Sequence, residues 1–181
     1  MAAPRYRPLQ SDRDDLRIAT LAALALAIHV AEAALPSPLP GVKPGLANII
    51  TVTACWLYGW RVAAWITVLR IVAGGILVGT LLSPTFFLSL AGGLGALGGL
   101  ALARALPGTG PVGYSLLAAL AHMGAQFTAA WWLFIPHPGL WLLLPPLMTA
   151  AIVFGVLNGI MAQAMIRELG SQPARDGHEA T

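Results

Sequence analysis

Along this chain polar residues gather at the two ends and in short gaps, and between the gaps run apolar stretches. Each is close to the roughly 20 residues that a helix needs to cross a hydrocarbon core. Six such runs cover residues 16–35, 46–60, 62–82, 84–106, 112–135 and 140–166. The gaps carry residues that end helices: Pro36, Pro38, Pro40, Gly41 and Pro44 after the first run, residues 59–61 after the second, Ser83-Pro84 after the third. Segments 107–113 and 136–139 punctuate the rest in the same way. The second run is short as drawn, with a start as far back as Val42 as the alternative, while the last is long enough to tilt or to break at Pro145-Pro146. The pattern predicts an all-α integral membrane protein with six transmembrane helices in a compact bundle. The membrane domain takes residues 16–168, between polar tails at 1–15 and 169–181.

Composition narrows this further. Hydrophobic residues make up 57% of the chain, charged residues 9%, and mean hydropathy is +0.77, whereas a soluble domain carries about 25% charged residues. A soluble fold, a disordered chain and a collagen-like repeat are excluded. A disulfide scaffold is excluded too, since Cys55 is the single cysteine and lies in an apolar run. The net charge of +3 comes from scattered basic residues, not from a cluster that would track nucleic acid. Those residues follow the positive-inside rule instead. With six spans both termini share a side, and a cytoplasmic placement puts Arg5, Arg7, Arg13, Arg17, Arg61, Arg104, Arg167 and Arg175 inside. Only Lys43 is then outside, with Arg70 within a span. Reading the first run as a signal peptide cleaved near Ala31-Glu32-Ala33 leaves five spans and a weaker bias.

Helices in lipid associate by close packing, so small residues at four-residue spacing are informative. The first run carries Ala19, Ala23, Ala27 and Ala31 on one face, the third Gly75 and Gly79, and the fourth Ala91, Gly95 and Gly99 with Gly92, Gly93 and Gly98 beside them. Such stripes serve packing inside the bundle or a docking face for a partner membrane protein. The alanines of the first run are the docking candidates.

Ionisable groups inside a span are costly and call for a partner, a cavity or a function. Arg70 stands nine residues beyond Arg61, roughly 13 Å deep at 1.5 Å per residue. Glu32 lies roughly 22 Å from the start of the first run, with His29 one turn before it. Lys43 and Asn48 belong to the irregular segment that opens the second run. His122 and Gln126, four residues apart, share a face of the fifth, roughly 15 and 21 Å deep. These depths converge on one polar pocket in the middle and outer half of the membrane. The candidate binding residues are therefore Arg70, Asn48, His122, Gln126, Glu32, His29 and Lys43. Arg70 would attract either Glu32 or an anionic ligand group. No metal-binding motif accompanies these residues. Thr149, Asn158 and Gln163 are candidate interhelical donors, and Trp56, Trp60, Trp131, Trp132 and Trp141 suit interfacial belts. No nucleophile elbow, Walker loop, dinucleotide fingerprint or Asp-rich prenyl synthase motif is present, so no catalytic residue is assigned and ATP coupling would need another chain.

The stretch Gly41-Val42-Lys43-Pro44-Gly45-Leu46-Ala47-Asn48-Ile49-Ile50-Thr51-Val52 carries a resemblance. With it go Leu69-Arg70, Gly74-Gly75 and Gly79, Ser89-Leu90-Ala91-Gly92-Gly93, and Ala121-His122 with Gln126. Together they resemble the Gx transporter family, also labelled heptaprenyl diphosphate synthase component I. The resemblance spans residues 16–167, and Pro44 and Met123 are its departures. It implies a bundle similar to the substrate-binding S components of energy-coupling-factor transporters, with a small ligand in the outer half. It also implies a bacterial inner-membrane location and an alanine face that meets a coupling subunit or ATPase module.

The expected function is a binding and translocation subunit for a small anionic solute, opened by motion of residues 43–48. One alternative is a membrane component of flavin- or quinone-linked electron transfer, with that cofactor bound. Another is a non-catalytic accessory protein of isoprenoid metabolism. A third is a scaffold whose polar cluster only fixes packing.

Overall fold

A computed structural model of the chain describes residues 13–34 and 45–171. They form six α-helices: α1 (Arg13–Ala34), α2 (Ala47–Tyr58), α3 (Trp60–Leu77), α4 (Pro84–Ala105), α5 (Pro111–Leu133) and α6 (Leu144–Ser171). A 3₁₀ turn, Pro138–Leu143, leads into α6, and no strand occurs among the described residues. Each apolar run becomes one helix. The ends differ from the expected ones: α1 starts three residues early and α6 runs to Ser171, so both take in part of the predicted tails. Residues 1–12 and 172–181 lie outside the described residues.

Among the described residues three helical stretches are long and apolar enough to cross a membrane: α3, α4 and Pro138–Leu169. The apolar part of α1, Ile18–Glu32, is shorter, and so is α2. At 12 residues, α2 rises only about 18 Å. Helix α5 has the length but dilutes its apolar content with Tyr114, Ser115, His122 and Gln126.

Local chemistry sets these boundaries. Gly59, at φ 94°, ends α2 and is the only residue between it and α3. That conformation suits a residue without Cβ. Ser83 caps α4, its Oγ accepting from the Phe86 N–H at 3.3 Å, and Pro84 follows at the first helical position, where its missing N–H costs nothing. Pro145 and Pro146 occupy the first turn of α6 for the same reason, so the predicted break falls where the 3₁₀ turn meets that helix.

Helix α2 is the central element. Ala47 and all of residues 49–55 are buried, as expected of a helix that is apolar around its whole circumference. Its Ile49, Val52 and Cys55 join Ala63, Ala96, Leu97, Leu100, Ala118 and Ala162 in a core drawn from α2 to α6. A second cluster seats Ala22 and Ala25 of α1 on Ile50, Ala54 and Ile66. Asn48 meets Arg70 near the start of α2, whereas Cys55 packs with Ala63 near its end, so α2 and α3 are antiparallel. Arg104 Nη1 lies 3.8 Å from the position a Cβ would take at Gly59. That contact brings the α2–α3 junction and the end of α4 to one end of the bundle.

Candidate functional site

The opening of α2 is held by polar groups from three other helices. Gly45 adopts φ 70°, a left-handed conformation that strains residues with a Cβ. Its carbonyl accepts from the Asn48 N–H at 2.8 Å and from Asn158 Nδ2 of α6 at 3.3 Å. The next N–H, of Leu46, donates to Glu32 Oε1 of α1 at 2.7 Å. Asn48 Oδ1 in turn accepts from Arg70 Nη2 of α3 at 3.3 Å. The Gly-Leu-Ala-Asn sequence thus has a local reason at each position: a left-handed glycine, an N–H that donates to Glu32, a fully buried alanine and an amide acceptor.

This clamp borders a cavity of about 350 Å³ to which all six helices contribute. Its polar lining includes His29, Glu32, Asn48, Arg70, His122 and Gln126. Ile71, Leu88, Met123 and Phe154 supply apolar wall, and Ser89 and Asn158 add further polar groups. The lining comes from the later parts of α1, α3 and α5 and the earlier part of α2, α4 and α6, so the cavity occupies the half of the bundle away from Gly59 and Arg104.

Arg70 is 8% exposed and Glu32 5% exposed, yet among the described residues they form no ion pair; the guanidinium bonds to Asn48 and the carboxylate to the Leu46 N–H. Placed at the start of α2, the Glu32 charge is partly offset by the positive end of the helix dipole. Among the described residues two buried side-chain nitrogens find no partner, Arg70 Nε and His122 Nδ1, and both residues line the cavity. The His122 ring lies against Gly92, where a Cβ would come within 2.6 Å of it, and His29 lies against Gly74 in the same manner at 2.8 Å.

Six of the seven predicted binding residues therefore line one cavity: Arg70, Asn48, His122, Gln126, Glu32 and His29. Lys43 lies outside the described residues. The sequence marked Asn158 only as an interhelical donor; it donates to Gly45 at the opening of α2 and also lines the cavity. Thr149 bonds within its own helix, to the Pro145 carbonyl at 2.9 Å. Among the described residues no group of three or more His, Cys, Asp and Glu is arranged to hold a metal ion.

The small-residue stripes divide. Ala19, Ala23, Ala27 and Ala31 are exposed, while Ala22 and Ala25 face the core. The α4 stripe turns inward, with Gly95 against the Ala121 carbonyl and Gly99 against that of Leu117. Gly79 belongs to the turn after α3, at φ 73°. Of the tryptophans, Trp60 donates to the Leu97 carbonyl at 3.0 Å, Trp56 stands edge-on to Tyr114, Trp131 and Trp141 stack obliquely, and Trp132 is 77% exposed.

A family model described as heptaprenyl diphosphate synthase component I matches residues 21–165, which touch every helix. Comparison with curated proteins and with solved structures gives no match.

Proposed function

This chain belongs to the heptaprenyl diphosphate synthase component I family, and from that premise we propose that it is a membrane-embedded binding and translocation subunit for a small anionic solute. The observation that carries this reading is Arg70, a buried guanidinium whose Nε has no partner, on the wall of a cavity of about 350 Å³. A buried cation with unused donor capacity is costly unless something completes it. A carboxylate or phosphate oxygen would do so. In this reading Asn48 steadies the guanidinium, His122 and Gln126 orient the ligand from α5, and Glu32 and His29 border it from α1. The volume lies at the small end of the roughly 300–1,000 Å³ typical of ligand pockets.

The same reading places six helices in a bacterial inner membrane with both termini cytoplasmic. Arg61 and Arg104 then lie on the inner side and the cavity in the outer half, in accord with the positive-inside bias. The exposed alanines of α1 would meet another membrane subunit.

A second reading is favoured by the family's description: an accessory subunit of heptaprenyl diphosphate formation. A diphosphate head is anionic and would use the same arginine, its prenyl chain lying in lipid.

Native mass spectrometry of the gently purified protein, alone and with co-expressed neighbours, tests both. We expect a discrete anionic adduct. It should weaken roughly 10- to 100-fold in Arg70→Gln, the worth of a charge-assisted hydrogen bond, and be partly retained in Arg70→Lys. An adduct of prenyl diphosphate mass would select the second reading. An adduct indifferent to both substitutions would remove the anion site.

A further inference from the structure

Beside the main cavity lies a second chamber of about 130 Å³, between α1, α3 and α4 and reaching the turn that follows α3. The two are continuous in their walls: His29, Ile71, Thr85 and Ser89 line both. Gly75 lets the Phe86 ring, which lines the chamber, come close to α3, since a Cβ there would fall 2.9 Å from that ring.

What distinguishes the chamber is its hydroxyls. Thr85 and Ser89 sit one turn apart on one face of α4, and Thr80 joins them from the turn. Thr80 is fixed there by its own N–H, which donates to the Gly75 carbonyl at 2.8 Å. Thr20, Thr67, Thr128 and Thr149 each donate to the carbonyl four residues earlier, while in the packed core of α2 Thr53 donates to Met165 Sδ and Thr51 Oγ1 is without a partner among the described residues. Among the described residues the side-chain hydroxyls of Thr80, Thr85 and Ser89 make no hydrogen bond to protein. The Ser89 hydroxyl does not bond back to the Thr85 carbonyl one turn behind it, which takes the helical N–H. Three hydroxyls that could donate and accept, those of half-buried Thr80 and Ser89 and of exposed Thr85, thus line a small space that borders the Arg70 cavity.

We propose that this chamber is a second subsite of the same binding site, taking a hydroxyl-bearing chain whose anionic end lies at Arg70. The ligand class is an elongated, polyhydroxylated anion. The inference rests on reading the main cavity as an anion site. Along α3 the level of Gly75 is five residues from Arg70, roughly 7.5 Å, the span of a short polyol. Phe86 and Ile71 would pack on its carbon backbone while the hydroxyls alternate donor and acceptor with those of the protein.

The test compares four probes on the full chain in detergent by titration calorimetry: acetate, hexanoate, gluconate and sorbitol. Gluconate should bind at least tenfold more tightly than hexanoate. That advantage should shrink to twofold or less in the triple variant Thr80→Val/Thr85→Val/Ser89→Ala and to about threefold in Thr80→Val alone, with acetate unaffected in Thr80→Val, whose side chain lines the chamber and not the main cavity. Hexanoate equal to gluconate, both lost in Arg70→Gln, would overturn the subsite and leave the anion site standing. Sorbitol equal to gluconate, both indifferent to Arg70→Gln, would overturn the anion reading and with it the two-ended ligand. Silence from all four probes would overturn the ligand class.

Discussion

Toward the end of the bundle that carries Gly59 and Arg104, α4 and α5 meet backbone to backbone, with Gly99 against the Leu117 carbonyl. Toward the other end the same two helices meet through an imidazole, the ring of His122 lying on Gly92. Helices α1 and α3 repeat the second arrangement, His29 on Gly74. Glycine therefore does different work along one helix. Near Gly59 it removes space between backbones and leaves a dry core of Ala, Leu and Ile. Near the cavity it makes room for a polar ring. A stripe of small residues is thus not one signal: what it admits depends on what stands opposite.

The largest effect should come from breaking the dry contact. In Gly99→Ala the new Cβ would fall 2.5 Å from a backbone oxygen, and the backbone of a packed helix cannot turn aside. Overpacking of this kind costs about 3 kcal/mol, read as a drop in the thermal unfolding midpoint in detergent. Gly92→Ala makes an equally close contact, but with a ring that can rotate away. It should cost less than half as much stability while weakening whatever adduct the cavity holds. Equal losses of stability at the two sites would show that the ring is as fixed as the backbone.

A smaller effect separates the two roles open to Glu32. As the acceptor for the Leu46 N–H at 2.7 Å, it is replaceable by any group that accepts in the same place. As a counter-charge to Arg70, it is not. Glu32→Ala should cost about 2 kcal/mol, because it orphans a buried N–H, whereas Glu32→Gln keeps the acceptor and should cost about 1 kcal/mol or less. Thermal unfolding of the two variants side by side is the measurement. Equal losses would make the charge, not the acceptor, the stabilising feature.

That distinction was not legible in the sequence, and the reason is physical. Charge is visible in a letter code, so Arg70 and Glu32 invite each other; the unsatisfied N–H at a helix start is not. Depth counting from the ends of apolar runs gathers six side chains that the structure places on one cavity wall, because a polar residue deep in an apolar run stands out. Asn158 stood out equally, but its bond to Gly45 depends on a loop whose position no periodicity encodes. The helices themselves were legible from apolar length alone. The shortness of the second run was legible too, but its end was not: hydropathy runs on through Trp60, whereas Gly59 turns the chain at φ 94° and α2 stops at Tyr58. Thr85 left no signal and Ser89 entered only through the family resemblance, for hydroxyls in apolar helices ordinarily bond to their own backbone.

The smallest expected effect has the opposite sign and lies one residue from the largest. Gly98 is interior to α4, has ordinary helical geometry, and a Cβ there would meet nothing within 4 Å. Replacing it by alanine removes the flexibility glycine lends the unfolded chain and adds no clash. Gly98→Ala should therefore raise stability by about 0.5–1 kcal/mol, a small upward shift in the same unfolding measurement. Neighbours 98 and 99 would then move in opposite directions, because one faces outward and the other faces the Leu117 backbone. If Gly98→Ala instead lost as much as Gly99→Ala, the outer face of α4 would be covered by a second chain, and the division between inward and outward glycines would have to be redrawn around that contact.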